Sequence, residues 1–211
     1  MPKTKEELWT EFGKVVKWAE DRNKKLYVGI DPGSEGAVAV VCEKMHAVVD
    51  IPTVERDTKT KTKLGNKKKV TEYDYGACVR LLELITKSVN VVCVLEKSEV
   101  NASNPRFKRN NIKESGSNER STDTPLTAHR VAWGCAMWIM YVVSRRFARL
   151  MPPPRVWKKS MGLTELGSGA TTEQKKELSL DMARPMFPNA ELHRKSDHNR
   201  AEALLLAEYG R

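Results

Sequence analysis

Residues 26–42, LYVGIDPGSEGAVAVVC, join two apolar, β-branched runs through a turn containing Pro32 and Gly33. Runs of this kind on either side of a Gly-containing turn read as neighbouring antiparallel strands. Met45 to Ile51 repeats the composition after a second charged turn. Leu26 to Ile30, Ala37 to Cys42 and Met45 to Ile51 are therefore expected to form a three-strand antiparallel meander. The first strand runs straight into Asp31. A carboxylate at the end of an apolar strand is costly to desolvate unless it is hydrogen-bonded or bound to a cation.

The same arrangement recurs downstream. Val89 to Leu95 (VNVVCVL) is an almost unbroken apolar run closing at Glu96, as expected of a central strand covered on both faces. If the two strands are neighbours, Asp31 and Glu96 converge, and hard oxygen donors of this kind suit Mg²⁺ or Mn²⁺. Near the C-terminus, KSDHNRAEALLLAEYG (195–210) makes Asp197 the expected N-cap of a helix running from His198 to about Glu208, with Glu202 on its second turn. Five residues at 100° each put Asp197 and Glu202 about 140° apart on an ideal helix, so they meet only if Asp197 sits outside it. His198 shares the face of Glu202 and is a second candidate, as ligand or proton carrier. Each acid also has a plainer role: Asp31 capping its turn, Glu96 pairing with a base, Asp197 only capping, Glu202 on the surface.

The rest of the chain supplies covering layers and basic segments. Residues 5–22 place Leu8, Phe12, Val15, Val16 and Ala19 at helical spacing, which predicts an amphipathic N-terminal appendage (1–24) outside the main sheet of a domain spanning 25–211. Residues 55–70 carry seven basic side chains, two acids and no apolar period, and are expected to form an exposed hairpin tip or loop. Further helices are expected over 73–87, 127–147 and 171–186, with a long polar loop over 97–125. Pro152, Pro153 and Pro154 exclude helix and central strand until Arg155.

The chain has 211 residues, a net charge of +10 and a pI near 9.5, which favours a polyanionic partner. No apolar run reaches the roughly 20 residues of a bilayer-spanning helix, so no membrane role is expected. Cys42, Cys78, Cys93 and Cys135 show no CxxC pairing and read as reduced, structural thiols. The acids Glu6, Glu7, Glu11, Glu20 and Asp21 do not fit a transit peptide. The expected setting is soluble and intracellular: a bacterial or phage-infected cytoplasm, or an organelle nucleoid if a leader has been removed.

At GIDPGSEGAVAVV, the strand ending in LEK, PRVWKK and DHNRAEALLLAEYGR, the chain resembles the RuvC-type Holliday-junction resolvases of the ribonuclease H-like superfamily, most closely the plant (monokaryotic) chloroplast branch and its phage-encoded relatives. The resemblance implies a ribonuclease H-like α/β fold: a five-stranded mixed sheet in order 3-2-1-4-5 flanked by helices. It implies a homodimer that makes paired symmetric nicks in a four-way DNA junction by two-metal-ion hydrolysis, with two Mg²⁺ (or Mn²⁺) per active site. By motif position it makes Asp31, Glu96, Asp197 and Glu202 the metal ligands and Lys158 a lysine beside the scissile phosphate. Bacterial members end in two acids three residues apart, a register that would use Asn199, whereas the plant-like D-H-G-R-A-E pattern uses Asp197. As DNA contacts we expect Lys59, Lys61, Lys63, Lys67, Lys68 and Lys69 along one junction arm, Lys158 and Lys159 near the scissile strand, and Arg106, Lys108 and Arg109 at the crossover. Phe107 is either a wedge against an unpaired base or a loop anchor. A sugar-kinase or actin-like ATPase also opens with a strand, Asp-x-Gly and a hairpin, but it needs two such domains.

Overall fold

The computed structural model describes residues 3–32, 35–61, 67–86, 90–97, 148–167 and 169–211. Strand β1 (Leu26–Asp31) pairs antiparallel with β2 (Ala37–Cys42), and β2 with β3 (Met45–Asp50), forming the expected meander. Next, β4 (Thr53–Lys61) and β5 (Lys67–Tyr73) make a separate two-stranded ribbon. Strand β6 (Val91–Leu95) then returns to the main sheet parallel to β1, and β7 (Ala148–Leu150) runs parallel to β6. The main sheet has the order β3-β2-β1-β6-β7. With the ribbon set aside as an insertion, this is the mixed 3-2-1-4-5 order of a ribonuclease H-like α/β fold.

Side chains alternate between the two faces of a strand, and that alternation sorts the core. Val28, Ile30, Val40 and Leu95 pack with Phe12 and Val16 of α1 (Lys5–Asp21) and with Leu81 and Ile85 of α2 (Tyr75–Thr86). On the other face Ala39, Val41, Val48 and Val94 pack with Leu204 and Leu205 of α5 (His198–Tyr209) and with Leu180 of α4 (Thr172–Met186). Both long flanking helices start cleanly. Thr4 with Glu7, and Thr171 with Gln174, form capping boxes that satisfy the first free amides of α1 and α4.

Three expectations take a more definite form. The N-terminal helix forms as expected, and its apolar stripe is buried in the same cluster as β1, β2 and β3, because a sheet apolar on both faces needs a layer on each. Of the hairpin tip or loop expected over 55–70, the described residues follow the hairpin alternative and extend it into the antiparallel strands β4 and β5, with cross-strand pairs such as Lys69 to Glu55 at 2.9 Å and Arg56 to Glu72 at 3.2 Å. The proline run does not delay helix: α3 (Pro154–Ser160) begins on Pro154, where the missing N–H costs nothing. The helix expected over 127–147 lies outside the described residues, as does Cys135. Cys42, Cys78 and Cys93 are buried and in no disulfide among the described residues. Among the described residues no helix is long and apolar enough to cross a membrane.

Candidate active site

Strand alternation aims the first two acids. Tyr27 and Gly29 face α5, so Asp31 does too; Val92 and Val94 share that face, so Glu96 follows them. Ile30 pairs with Leu95, and the Glu96 amide donates to the Ile30 carbonyl at 3.1 Å. Asp31 and Glu96 therefore leave adjacent parallel strands at the same level, about 4.8 Å apart by strand spacing.

Gly29 brings in the third acid. A Cβ at this position would collide with the carbonyl oxygen of Ala203 and the amide nitrogen of Ala207, so the α5 backbone lies directly on β1. That contact sets Glu202, whose side chain is only 13% exposed, beside the strand ends. Asn199 pins the same end of α5 by donating to the Glu35 carbonyl at 2.6 Å.

Helix α3 supplies the cation. Lys158 Nζ lies 2.8 Å from Glu202 Oε2 and 5.2 Å from the centre of the Trp157 ring. The fully buried Trp157 donates its indole N–H to Glu96 Oε2 at 2.7 Å, and Ser179 of α4 donates to Glu202 Oε1 at 3.0 Å. Sequence reasoning did not single out Trp157 or Ser179. A signal for Trp157 existed: a tryptophan this deep needs an acceptor for its N–H, and it adjoins Lys158.

The electrostatics are unbalanced. Burial first, then the charges of Glu202 and Glu96, push the Asp31 carboxyl well above the usual carboxylate range, with Lys158 opposing. Burial works against the Lys158 ammonium, but Glu202, Glu96 and Asp31 outweigh it and its pKa rises. Among the described residues three carboxyl groups thus share the Lys158 ammonium in a largely desolvated place, an arrangement that attracts further positive charge. Among the described residues no three His, Cys, Asp or Glu side chains are grouped closely enough as they stand to hold a metal ion. Glu96 is held by Trp157, and Glu202 by Lys158 and Ser179. The donor set nevertheless fits a hard divalent ion, since a carboxylate oxygen that accepts one hydrogen bond keeps a second lone pair.

Asp197 is not brought to this cluster. It closes a 3₁₀ turn (Lys195–Asp197) that folds Arg194 back onto it. The Arg194 amide donates to Oδ2 at 2.8 Å, its Nε and Nη2 donate to Oδ1 at 3.0 and 2.7 Å, and Arg200 lies 3.9 Å away. Its side chain makes no cap bond to α5 either. Asp197 is thus engaged here as the ion-pair partner of Arg194, and Asn199 as a donor to the Glu35 carbonyl. His198 Nδ1 donates to the Lys195 carbonyl, 3.1 Å away, which leaves Nε2 for other contacts.

Of the expected DNA contacts, Lys69 is exposed on β5 and paired with Glu55, and Lys159 is exposed at the end of α3. Lys63, Arg106, Phe107, Lys108 and Arg109 lie outside the described residues, as do the side chains of Lys59, Lys61, Lys67 and Lys68.

No protein-family model and no curated protein matches this chain. Among solved structures, it is similar to Thermus thermophilus RuvC in complex with a Holliday-junction substrate, at 15% identity over 86% of this chain and 91% of that one, with a TM-score of 0.41. It is likewise similar to a second Thermus thermophilus RuvC structure, at 16% identity over 86% and 92%, also with a TM-score of 0.41.

Proposed function

We propose that the protein is a metal-dependent DNA endonuclease that resolves four-way junctions. The observation that carries the reading is the convergence of Asp31, Glu96 and Glu202 around Lys158, with burial and the two neighbouring acids disfavouring the charged form of Asp31. The resolvase-like motifs, the +10 net charge and the basic β4–β5 ribbon support the choice of substrate.

Asp31, Glu96 and Glu202 would hold Mg²⁺ or Mn²⁺, two ions in this reading, with His198 as a further candidate. Bound there, the metal supplies a water of lowered pKa and charge stabilisation for the leaving 3′ oxygen. Trp157 fixes the orientation of Glu96, and Ser179 that of Glu202. Lys158 keeps Glu202 in place and offsets charge developing on the scissile phosphate. The ribbon and Lys159 meet backbone phosphates, which position the substrate without reading its sequence. A homodimer carries two such centres to opposite strands of one junction.

The test is cleavage of a labelled synthetic four-way junction by the full chain in Mg²⁺, with unlabelled junction, duplex and fork as competitors. Paired symmetric nicks with 5′-phosphate and 3′-hydroxyl ends, competed best by junction, are expected. Preferential cutting of forks or RNA:DNA hybrids would change the substrate. Cleavage of no nucleic acid in either Mg²⁺ or Mn²⁺ would remove the enzyme.

A further inference from the structure

A cavity of about 280 Å³ opens between the first turns of α1, the β3–β4 corner and the segment leading into α5. Its position relative to the acids follows from register. Asp31 pairs with Ala37 and Ala37 with Asp50, so Asp50, on the cavity wall, stands two strands from Asp31 at the same end of the sheet. Two strand spacings are about 10 Å. A nucleic-acid strand with a phosphate at Asp31 that runs toward β3 therefore reaches this cavity within one or two nucleotides.

The lining has two characters. Leu8, Trp9 and Ile51 form an apolar wall, with Trp9 half-buried against the core. Two of the cavity's three acids are matched, Asp50 by Arg200 at 2.5 Å and Asp197 by Arg194 at 2.7 Å, while Glu191 lies 3.9 Å from His193 Nε2. Lys3 is likewise matched, by Glu11 at 2.8 Å, whereas Lys5 has no acid partner among the described residues. His193, with its ring 77% exposed, adds a donor at the rim. A flat aromatic wall with a spare ammonium at its mouth matches the two halves of a nucleotide, base and phosphate. The volume is just under the roughly 300–1,000 Å³ of small-molecule pockets, which suits one such unit. The ribbon also starts here, since Thr53 lines the cavity, so substrate held along β4–β5 passes its mouth.

We propose that this cavity is a nucleotide subsite that takes one unstacked base of the substrate strand, with Trp9 against the base and Lys5 on a flanking phosphate. It rests on the nuclease reading for its choice of ligand. The half-exposed Asp50 carboxylate keeps lone pairs for the amino group of a base, which gives the subsite a means of preferring amino-bearing bases.

The test uses the full chain, in Ca²⁺ and without cleavage, and four-way junctions carrying 2-aminopurine one or two nucleotides from the cut. Wild type should change the probe's fluorescence on binding. Trp9→Leu, which keeps an apolar contact with the core, should abolish that change and weaken junction binding about tenfold. Lys5→Glu should weaken binding by a similar factor. Wild type that leaves the probe unchanged, or folded variants that bind as wild type does, would overturn the subsite. If Trp9→Leu fails to fold, the wild-type probe signal and Lys5→Glu still decide. A chain that shows the probe signal but never cuts would leave the subsite standing and remove the nuclease.

Discussion

Asp31 and Asp197 are both buried acids, 8% and 3% exposed, at the same end of the molecule. Their surroundings differ in sign. Asp197 sits among donors, with three groups of Arg194 on its oxygens and Arg200 nearby, and Arg200 is itself matched by Asp50. Asp31 sits with Glu96 and Glu202 and, among the described residues, shares Lys158 with them. Burial alone separates neither acid from an ordinary core residue; the local charge balance does. A matched acid is a structural clamp, while an under-compensated one is poised to take a cation and do chemistry.

Perturbing the acid-rich side should show most in the chemistry. Glu202→Gln removes the carboxylate that links Lys158, Ser179 and Asp31, and single-turnover cleavage should fall by about a thousandfold. The fold should persist, since a like charge has been removed. Full activity in this variant would dissolve the cluster as a centre. Trp157→Phe keeps the buried ring volume but deletes the hydrogen bond to Glu96. Loss of an orienting contact of this kind should cost about 10–100-fold in Mn²⁺ affinity, read by calorimetry, and in cleavage rate. Wild-type values for both would reduce Trp157 to packing.

The matched side should answer in stability instead. Asp197→Asn leaves Arg194 and Arg200 short of an acceptor, and equilibrium urea unfolding should show a loss of about 2 kcal/mol. A variant as stable as wild type would mean that the clamp is not one.

The smallest effect is a pH dependence with a definite sign. In the folded chain Asp31 holds its proton more tightly than in the unfolded chain, where its pKa is near 3.9. Between that value and the raised one, the folded state binds more protons, so stability falls as pH rises through the window. Asp31→Asn removes the penalty. In EDTA it should therefore melt a few degrees above wild type at pH 7, with the gap closing toward pH 4. A gap that widens on acidification would reverse the assignment.

Much of this arrangement is legible in the residues. Asp31 and Glu96 each end an apolar run, and the meander and central strand follow from the same patterns. Glu202 is placed by helical spacing. What is not legible depends on contacts between distant segments. Gly29 in the sequence does not say that α5 will lie on it, and Asp197 reads as a cap until the 3₁₀ turn brings Arg194 around it. The ribbon escapes periodicity because its strands are polar on both faces and are joined by cross-strand ion pairs. The N-terminal stripe was visible, but not the sheet face it covers.

The comparison between the two acids is tested most directly by measuring single-turnover cleavage of a four-way junction in Mg²⁺ by Asp31→Asn and Asp197→Asn side by side, each checked for folded protein. The account predicts no detectable cutting by Asp31→Asn, and a rate for folded Asp197→Asn within about threefold of wild type. A folded Asp197→Asn that is inactive, or an Asp31→Asn that cuts normally, would contradict it.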